Sequence, residues 1–300
     1  MTNNTKKDLI IGSLCAIGCE VLFGLSYLFT KEAGQTASAL ALLGWRFLVA
    51  ALFLLILFVI GLIRVNFKGK SIKYVLLAAI FSPVLYFLGE TLGINLTTAS
   101  ESGAFLASIP VMALIAATLI LKEKPSKHQI VGIAITVSGV LLSVMAVGMS
   151  ASFSVLGYAM LFLAVLSYAL YCVYVDKASH FTGVELTVVM ILLGFLVFAS
   201  LAIGEAIVHQ NLSQLIILPF ENKTFALAIL YQGIGCSVLA FFLSNVAIAK
   251  IGVNRTASFI GVSTAVAIVF GVLILGESFT GLQIFGVLAI MIGVYTSNKG

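Results

Sequence analysis

The sequence predicts an all-α integral membrane protein of ten transmembrane helices, arranged as two inverted five-helix repeats. Three observations predict it. The 300-residue chain is 61% hydrophobic and 9% charged, far more apolar than a soluble domain can bury. Residues 119–143 reappear at 273–297: Leu119, Ile120, Leu121, Glu123, Gln129, Ile130, Gly132, Gly139, Val140 and Ser143 return as Leu273, Ile274, Leu275, Glu277, Gln283, Ile284, Gly286, Gly293, Val294 and Ser297. The second copy has lost its lysines, because Lys122-Glu123-Lys124 becomes Gly276-Glu277-Ser278 and Lys127 becomes Gly281. Lysine-rich turns stay on the cytoplasmic side, so the two copies face opposite sides of the membrane, an architecture of many secondary transporters.

A crossing needs about 20 apolar residues, and the apolar runs give ten spans in order. The first, about 9–30, follows Lys6-Lys7-Asp8; it continues through Glu20 to Lys31 without a small-residue cleavage pattern, so it reads as a helix and not a signal peptide. The second, about 39–63, ends at Arg64, and the third, about 73–94, starts at Lys73. Asn95-Leu96-Thr97-Thr98 leaves only a tight turn before the fourth, about 100–121. From Gln129 to Val175 no residue is charged, which accommodates the fifth and sixth, about 129–148 and 155–175. The seventh, about 184–208, is followed by the longest hydrophilic connection, 209–223. The last three are about 224–248, 255–275 and 281–297. The domains expected are residues 1–150, the first repeat, and 151–300, the second and inverted one. With the N-terminus inside, thirteen of the 16 bases fall on inner segments, Lys31 and Lys223 fall outside, and Arg46 lies within a span. That count predicts a multi-pass plasma-membrane protein with both termini cytoplasmic.

The net charge of +5 is an orientation signal, since no basic stripe with interleaved aromatics suggests nucleic acid. Cys15, Cys19, Cys172 and Cys236 lie in apolar runs and read as small buried hydrophobes. No metal site and no cofactor is expected. Membrane lipids and a small-molecule solute are the expected partners, with the protein a monomer or homodimer.

Glu20, Arg46, Glu90, Glu101 and Glu205 are the ionisable residues within or at the ends of spans. A charge in hydrocarbon costs at least about 2.5–3.5 kcal/mol, so it faces a cavity, pairs, or snorkels. Glu20 lies roughly 17 Å into its span, near the midplane, beyond reach of snorkelling. It is the leading candidate for substrate binding or proton coupling, against the alternative of a protonated structural residue. Glu20, Gly24, Tyr27 and Lys31 form one polar stripe. Glu90 shares a face with Tyr86; interfacial snorkelling, a pair with Arg46, or a substrate role are all open to it. Arg46 reads either as an interfacial anchor beside Trp45 or as a gating or substrate contact. Solvation is expected for Glu101 and Glu205. Tyr171, with Ser167 and Tyr168, and Gln232, after Tyr231, add aromatic and polar wall. Such a cavity suits a cationic or zwitterionic solute. Pro83 and Pro110 should kink spans 3 and 4 and mark hinges.

These residues resemble the drug/metabolite transporter superfamily, and within it the EamA-type family. The resemblance rests on Phe23-Gly24 leading to Lys31, on Arg46-Phe47, on Pro110 followed by Leu121-Lys122-Glu123, Gln129, Gly132 and Gly139, and on Leu275-Gly276-Glu277, Gln283, Gly286 and Gly293. It covers nearly the whole chain. The second-copy Pro is Thr264, so a hinge there must come from Gly261, Ser263 or Thr264 back-bonding. The resemblance implies an exporter of amino acids and related metabolites. The resulting expectation is a secondary transporter of a small polar metabolite working by alternating access, with Glu20 at its centre. The competing reading, an intramembrane enzyme acting on lipid-linked groups, lacks a metal or nucleophile motif, and no phosphate-binding loop points to an ATP-driven pump.

Overall fold

The computed structural model describes residues 3–96, 106, 108–145, 154–275 and 281–298. Glu101, the 95–99 turn beyond Leu96, the small residues Gly103, Ala104 and Ala107, and the Gly276-Glu277-Ser278 turn lie outside them, as do the side chains of Tyr27 and Lys31. Every regular element among the described residues is helical.

The helices are α1 (Asn3–Ala33), α2 (Ala39–Val59), α3 (Lys73–Ala79), α4 (Tyr86–Leu96), α5 (Ile109–Ala116), α6 (Lys127–Met145), α7 (Val155–Lys177), α8 (Gly183–Val208), α9 (Leu212–Glu221), α10 (Lys223–Leu230), α11 (Phe241–Ser258), α12 (Gly261–Leu275) and α13 (Gly281–Asn298). Six described stretches are long and apolar enough to cross a membrane: Lys6–Ser26, Ala39–Val59, Lys73–Gly93, Val155–Lys177, Gly183–Val208 and Lys223–Ser258. Ile109–Leu121, Lys127–Leu142 and Ile284–Ser297 are shorter apolar helices.

Four spans are not plain α-helices among the described residues; in span 4, Ala117–Leu121 is π-helical. Between α3 and α4, Ile80–Leu85 winds in wide π turns and Ser82 is extended (φ −141°, ψ 121°) directly before Pro83, where the missing proline N–H breaks the ladder. Tyr231–Ala240, joining α10 to α11, is π-helical over ten residues, a geometry frequent at functional sites. One break falls between spans 8 and 9 and another inside span 9. Gly252 sits at φ 78°, ψ 172°, and a turn at Phe259 and Ile260 separates α11 from α12.

Pro110 stands in the first turn of α5, where its absent N–H would be unpaired anyway; most of span 4 before it lies outside the described residues. The hydrophilic connection 209–223 holds a short helix, α9, which buries none of its residues and exposes Ile216 and Phe220.

Contacts gather the basic loops at one end of the bundle. The Glu185 carboxylate accepts from Lys70 Nζ at 2.7 and 2.9 Å, from the Asn66 N–H and from the Thr182 N–H, strapping the loop after α2 onto the start of α8. Asp8 pairs with Lys250 at 2.5 Å, and Asn254 Nδ2 donates to Glu123 at 2.7 Å. Burial pushes the Glu123 carboxyl up from its ordinary value, and neighbouring Asp176 adds to the shift. At the opposite end Trp45 Nε1 donates to the Leu215 carbonyl at 2.8 Å. There Ser38 donates to Glu205 in an exposed contact, which ties Glu205 to the start of α2.

The two copies of the sequence repeat pack against each other. A Cβ on Gly132 would lie 2.6 Å from Gly293 O, and one on Gly139 would lie 2.7 Å from Gly286 O. Numbers rise along α6 as they fall along α13, so the two helices are antiparallel. Gly132 matches Gly286 in the repeat and Gly139 matches Gly293. Exchanging the copies therefore turns one contact into the other. Only glycine permits such backbone approach.

Candidate functional site

Glu20 sits in the middle of α1 and is 5% exposed. Its carboxyl lies close to the Ser263 hydroxyl of α12. Ser263 lies in the first turn of that helix and turns its hydroxyl back onto the Ile260 carbonyl at 2.6 Å. The carboxyl thus lies at a helix N-terminus, where the macrodipole favours negative charge, although the Val262 and Ser263 N–H groups are already paired with Phe259 O and Ile260 O. One turn on, a Cβ at Gly24 would stand 2.6 Å from Ser263 O. The predicted stripe on α1 therefore faces α12 through both Glu20 and Gly24. The break in span 9 places Ser263 there; Thr264 is inside α12, four residues past the break.

Around Glu20 the walls come from the second half of the chain. Cys172, Tyr168 and Tyr171 of α7 all lie near it. Tyr171 donates to Asn245 Oδ1 at 2.9 Å and contacts Ser244 Oγ at 3.1 Å. Asn245 Nδ2 in turn donates to Thr187 Oγ1 at 3.1 Å. This buried chain fixes α7, α8 and α11 relative to one another, and a satisfied polar network is rigid. Ser167, one turn before Tyr171, is buried and its hydroxyl has no hydrogen-bond partner among the described residues.

A second polar group lies along α2 and α4. Arg46 is 4% exposed, which rules out the headgroup-anchor reading. Its Nε donates to Ser237 Oγ at 2.8 Å, and its guanidinium carbon is 4.3 Å from the Phe87 ring centroid. Nη2 is buried and has no hydrogen-bond partner among the described residues. Glu90 is partly buried and accepts from Tyr86 at 2.8 Å; it interacts electrostatically with Arg46 without forming a salt bridge to it among the described residues.

The two groups adjoin. The Tyr86 ring is 5.4 Å from Tyr168, and Tyr168 is 5.5 Å from Tyr171. Cys236 interacts with Arg46 on one side and with Cys19, next to Glu20, on the other. Pro83 is buried in the middle of the same span as Tyr86 and Glu90, about one turn before Tyr86. Gln232 is 1% exposed and donates to Thr30 Oγ1 at 2.8 Å. With Tyr231 donating to the Leu22 carbonyl at 2.9 Å and stacking on Phe29 at 4.4 Å, it holds α1 to the π-helical segment. Tyr86, Glu90, Arg46 and Tyr171 are thus brought toward Glu20, whereas Gln232 is spent on helix contact and Pro110 stands apart at a helix start.

Sequence reasoning missed Ser237, Ser244, Asn245, Phe87 and the role of the cysteines as neighbours of the two charges, and it named Ser263 only as a hinge candidate. Their only sequence signal is a polar residue inside an apolar run. The described residues hold no group of three or more His, Cys, Asp or Glu side chains suited to a metal ion.

Comparison with known proteins agrees with this architecture. The profile of the EamA-like transporter family matches residues 10–145 and again residues 155–299. A Bacillus subtilis (strain 168) protein named Uncharacterized transporter YcxC is 32% identical over 287 residues, 95% of this chain and 92% of that one. Another from the same organism, Uncharacterized transporter YetK, is 26% identical over 261 residues, 85% of this chain and 76% of that one. A solved crystal structure of a further protein superposes with a TM-score of 0.76 over 96% of this chain and 98% of that chain; at 15% identity it shows a shared fold alone. The protein is a multi-pass membrane transporter and not an enzyme. With both halves matched and a relative this similar along its length, the chain belongs to the EamA-like transporter family.

Proposed function

We propose that the protein is a ten-helix secondary transporter that exports a small polar metabolite, amino-acid-like or cationic, by alternating access. In this reading Glu20 is the central carboxylate that binds the substrate or a coupling proton. The observation that carries it is the position of Glu20: buried at mid-helix, turned to the start of α12 and walled by Tyr168 and Tyr171. A carboxylate in hydrocarbon is retained at a cost. Here it borders a broken helix, as substrate and ion sites in secondary transporters do. Aromatic faces beside a carboxylate suit an ammonium group.

The inverted-repeat reading, residues 1–150 against 151–300, is supported by the antiparallel crossing of α6 and α13, in which equivalent glycines exchange places. Gathering of Lys70, Lys250 and the Lys122–Lys127 turn at one end supports a cytoplasmic position for that end and for both termini. We assign the protein to the plasma membrane, as a monomer or homodimer.

The test is Glu20→Gln in proteoliposomes, with flux of the twenty amino acids and simple amines followed under an imposed pH gradient. Flux of the transported solute should fall at least about tenfold, or lose its response to the gradient, while the thermal unfolding midpoint stays within a few degrees. Unchanged flux and unchanged pH response would sink the role of Glu20.

A further inference from the structure

We propose that Arg46 is the anchor for an anionic group on the cargo, a carboxylate, so that the transported class is the zwitterionic amino acids and not simple amines. The proposal rests on the reading of Glu20 as the partner for the cationic end.

A guanidinium presents its donors in a fixed planar fork that matches a carboxylate. In this protein the fork is held from two sides and left open on a third. Ser237 Oγ takes Nε at 2.8 Å. The Phe87 ring supports the guanidinium at 4.3 Å and the Phe47 ring lies at 5.6 Å. Nη2 remains buried with no hydrogen-bond partner among the described residues. Buried polar atoms are almost always paired, and a buried charged donor without a partner is costly. A side chain so firmly oriented, with one donor unmet, is prepared for an acceptor that arrives from outside the fold.

Glu90 does not fill that role. Its Oε1 is occupied by the Tyr86 hydroxyl at 2.8 Å, and it forms no salt bridge with Arg46 among the described residues. Cys236 lies near both Arg46 and Cys19, the sequence neighbour of Glu20. In this reading a solute with both charges places its carboxylate at Arg46 and its ammonium toward Glu20 and the tyrosines.

The experiment measures equilibrium binding to the full-length protein in detergent. The probes are the twenty proteinogenic amino acids; for those that bind, they include the primary amide, the amine lacking the carboxylate and the acid lacking the amine. On the wild type, converting the carboxylate to the amide should weaken binding at least about tenfold, the loss of one charge-assisted contact. In Arg46→Gln the acid and the amide should bind alike, and Arg46→Lys should restore part of the preference. The wild-type comparison needs no variant, so it stands even where Arg46→Gln fails to fold. Amides or amines that bind the wild type as tightly as acids would overturn the assignment, as would an acid preference that survives in Arg46→Gln, or no binding by any carboxylate. The two readings separate cleanly. Amine binding that depends on Glu20 without acid preference removes Arg46 and keeps Glu20. Binding of amine-free acids that Glu20→Gln leaves unchanged removes Glu20 and keeps Arg46.

Discussion

The α6–α13 crossing and the core around Glu20 and Arg46 use opposite strategies in one bundle. The crossing is symmetric, built from glycines that recur at a fixed offset, and its outer face is apolar: Ile130, Val131, Phe285 and Leu288 are exposed. The core is asymmetric. Its charges come from the first half alone, and their neighbours Ser237, Ser244 and Ser263 come from the second. A duplicated scaffold needs only repeated small residues for its helices to meet. A substrate site between two halves needs different groups on each side, because the solute itself is not symmetric.

The largest break in that comparison should come from the scaffold. Gly139→Val places a side chain against the Gly286 carbonyl and the Ile290 N–H, backbone that cannot rotate away. We expect a loss of about 3 kcal/mol, read as a lower unfolding temperature in detergent, with substrate affinity of the surviving folded fraction unchanged. A stability cost below about 1 kcal/mol would refute the close crossing.

A smaller effect separates two turns at the end that carries the basic loops. Gly252 occupies a backbone region reserved for glycine, so Gly252→Ala should cost about 1–3 kcal/mol. Lys122 closes its helix at φ 58°, where the repeat has Gly276. Lys122→Gly should therefore stabilise by about 0.5–1 kcal/mol. Thermal unfolding of both variants checks the pair, and effects of the same sign would count against it.

The smallest effect concerns pH. The Glu123 carboxyl titrates above its ordinary value because it is partly buried. The folded state then holds that proton more tightly than the unfolded one, so stability falls as pH rises through the window between the ordinary value and the raised one. Unfolding midpoints of the wild type should decline across that window more than those of Glu123→Gln. Parallel curves would mean that Glu123 is not perturbed.

Much of the scaffold was legible along the chain. Long uninterrupted apolar runs have few folded alternatives, and the repeat shows directly as identities at one offset. The break near 249–254 was legible because Lys250, Gly252 and Arg255 interrupt an apolar pattern. Ile109–Ala116 was harder to place, since a proline inside an apolar run reads equally as a kink or as a first turn. The helix α9 was missed because a short amphipathic segment with Asn211, Ser213 and Gln214 looks like a loop. In the site, Glu20 stood out by being a lone acid at mid-span. Ser237, Asn245 and Ser263 did not, since a small polar residue in an apolar helix serves packing as often as binding.

By itself the sequence determined that this chain lives in a membrane and that its two halves share one pattern with opposite charge bias. Hydropathy and lysine placement are local quantities, and they act residue by residue along the chain. Only the tertiary structure decided that Arg46 is buried with one donor open and that Glu20 meets the start of a broken helix. The partners that set those environments lie 191 residues along the chain from Arg46 and in the last third of the sequence from Glu20. A side chain's surroundings depend on which distant helices pack against it, and no local pattern carries that information.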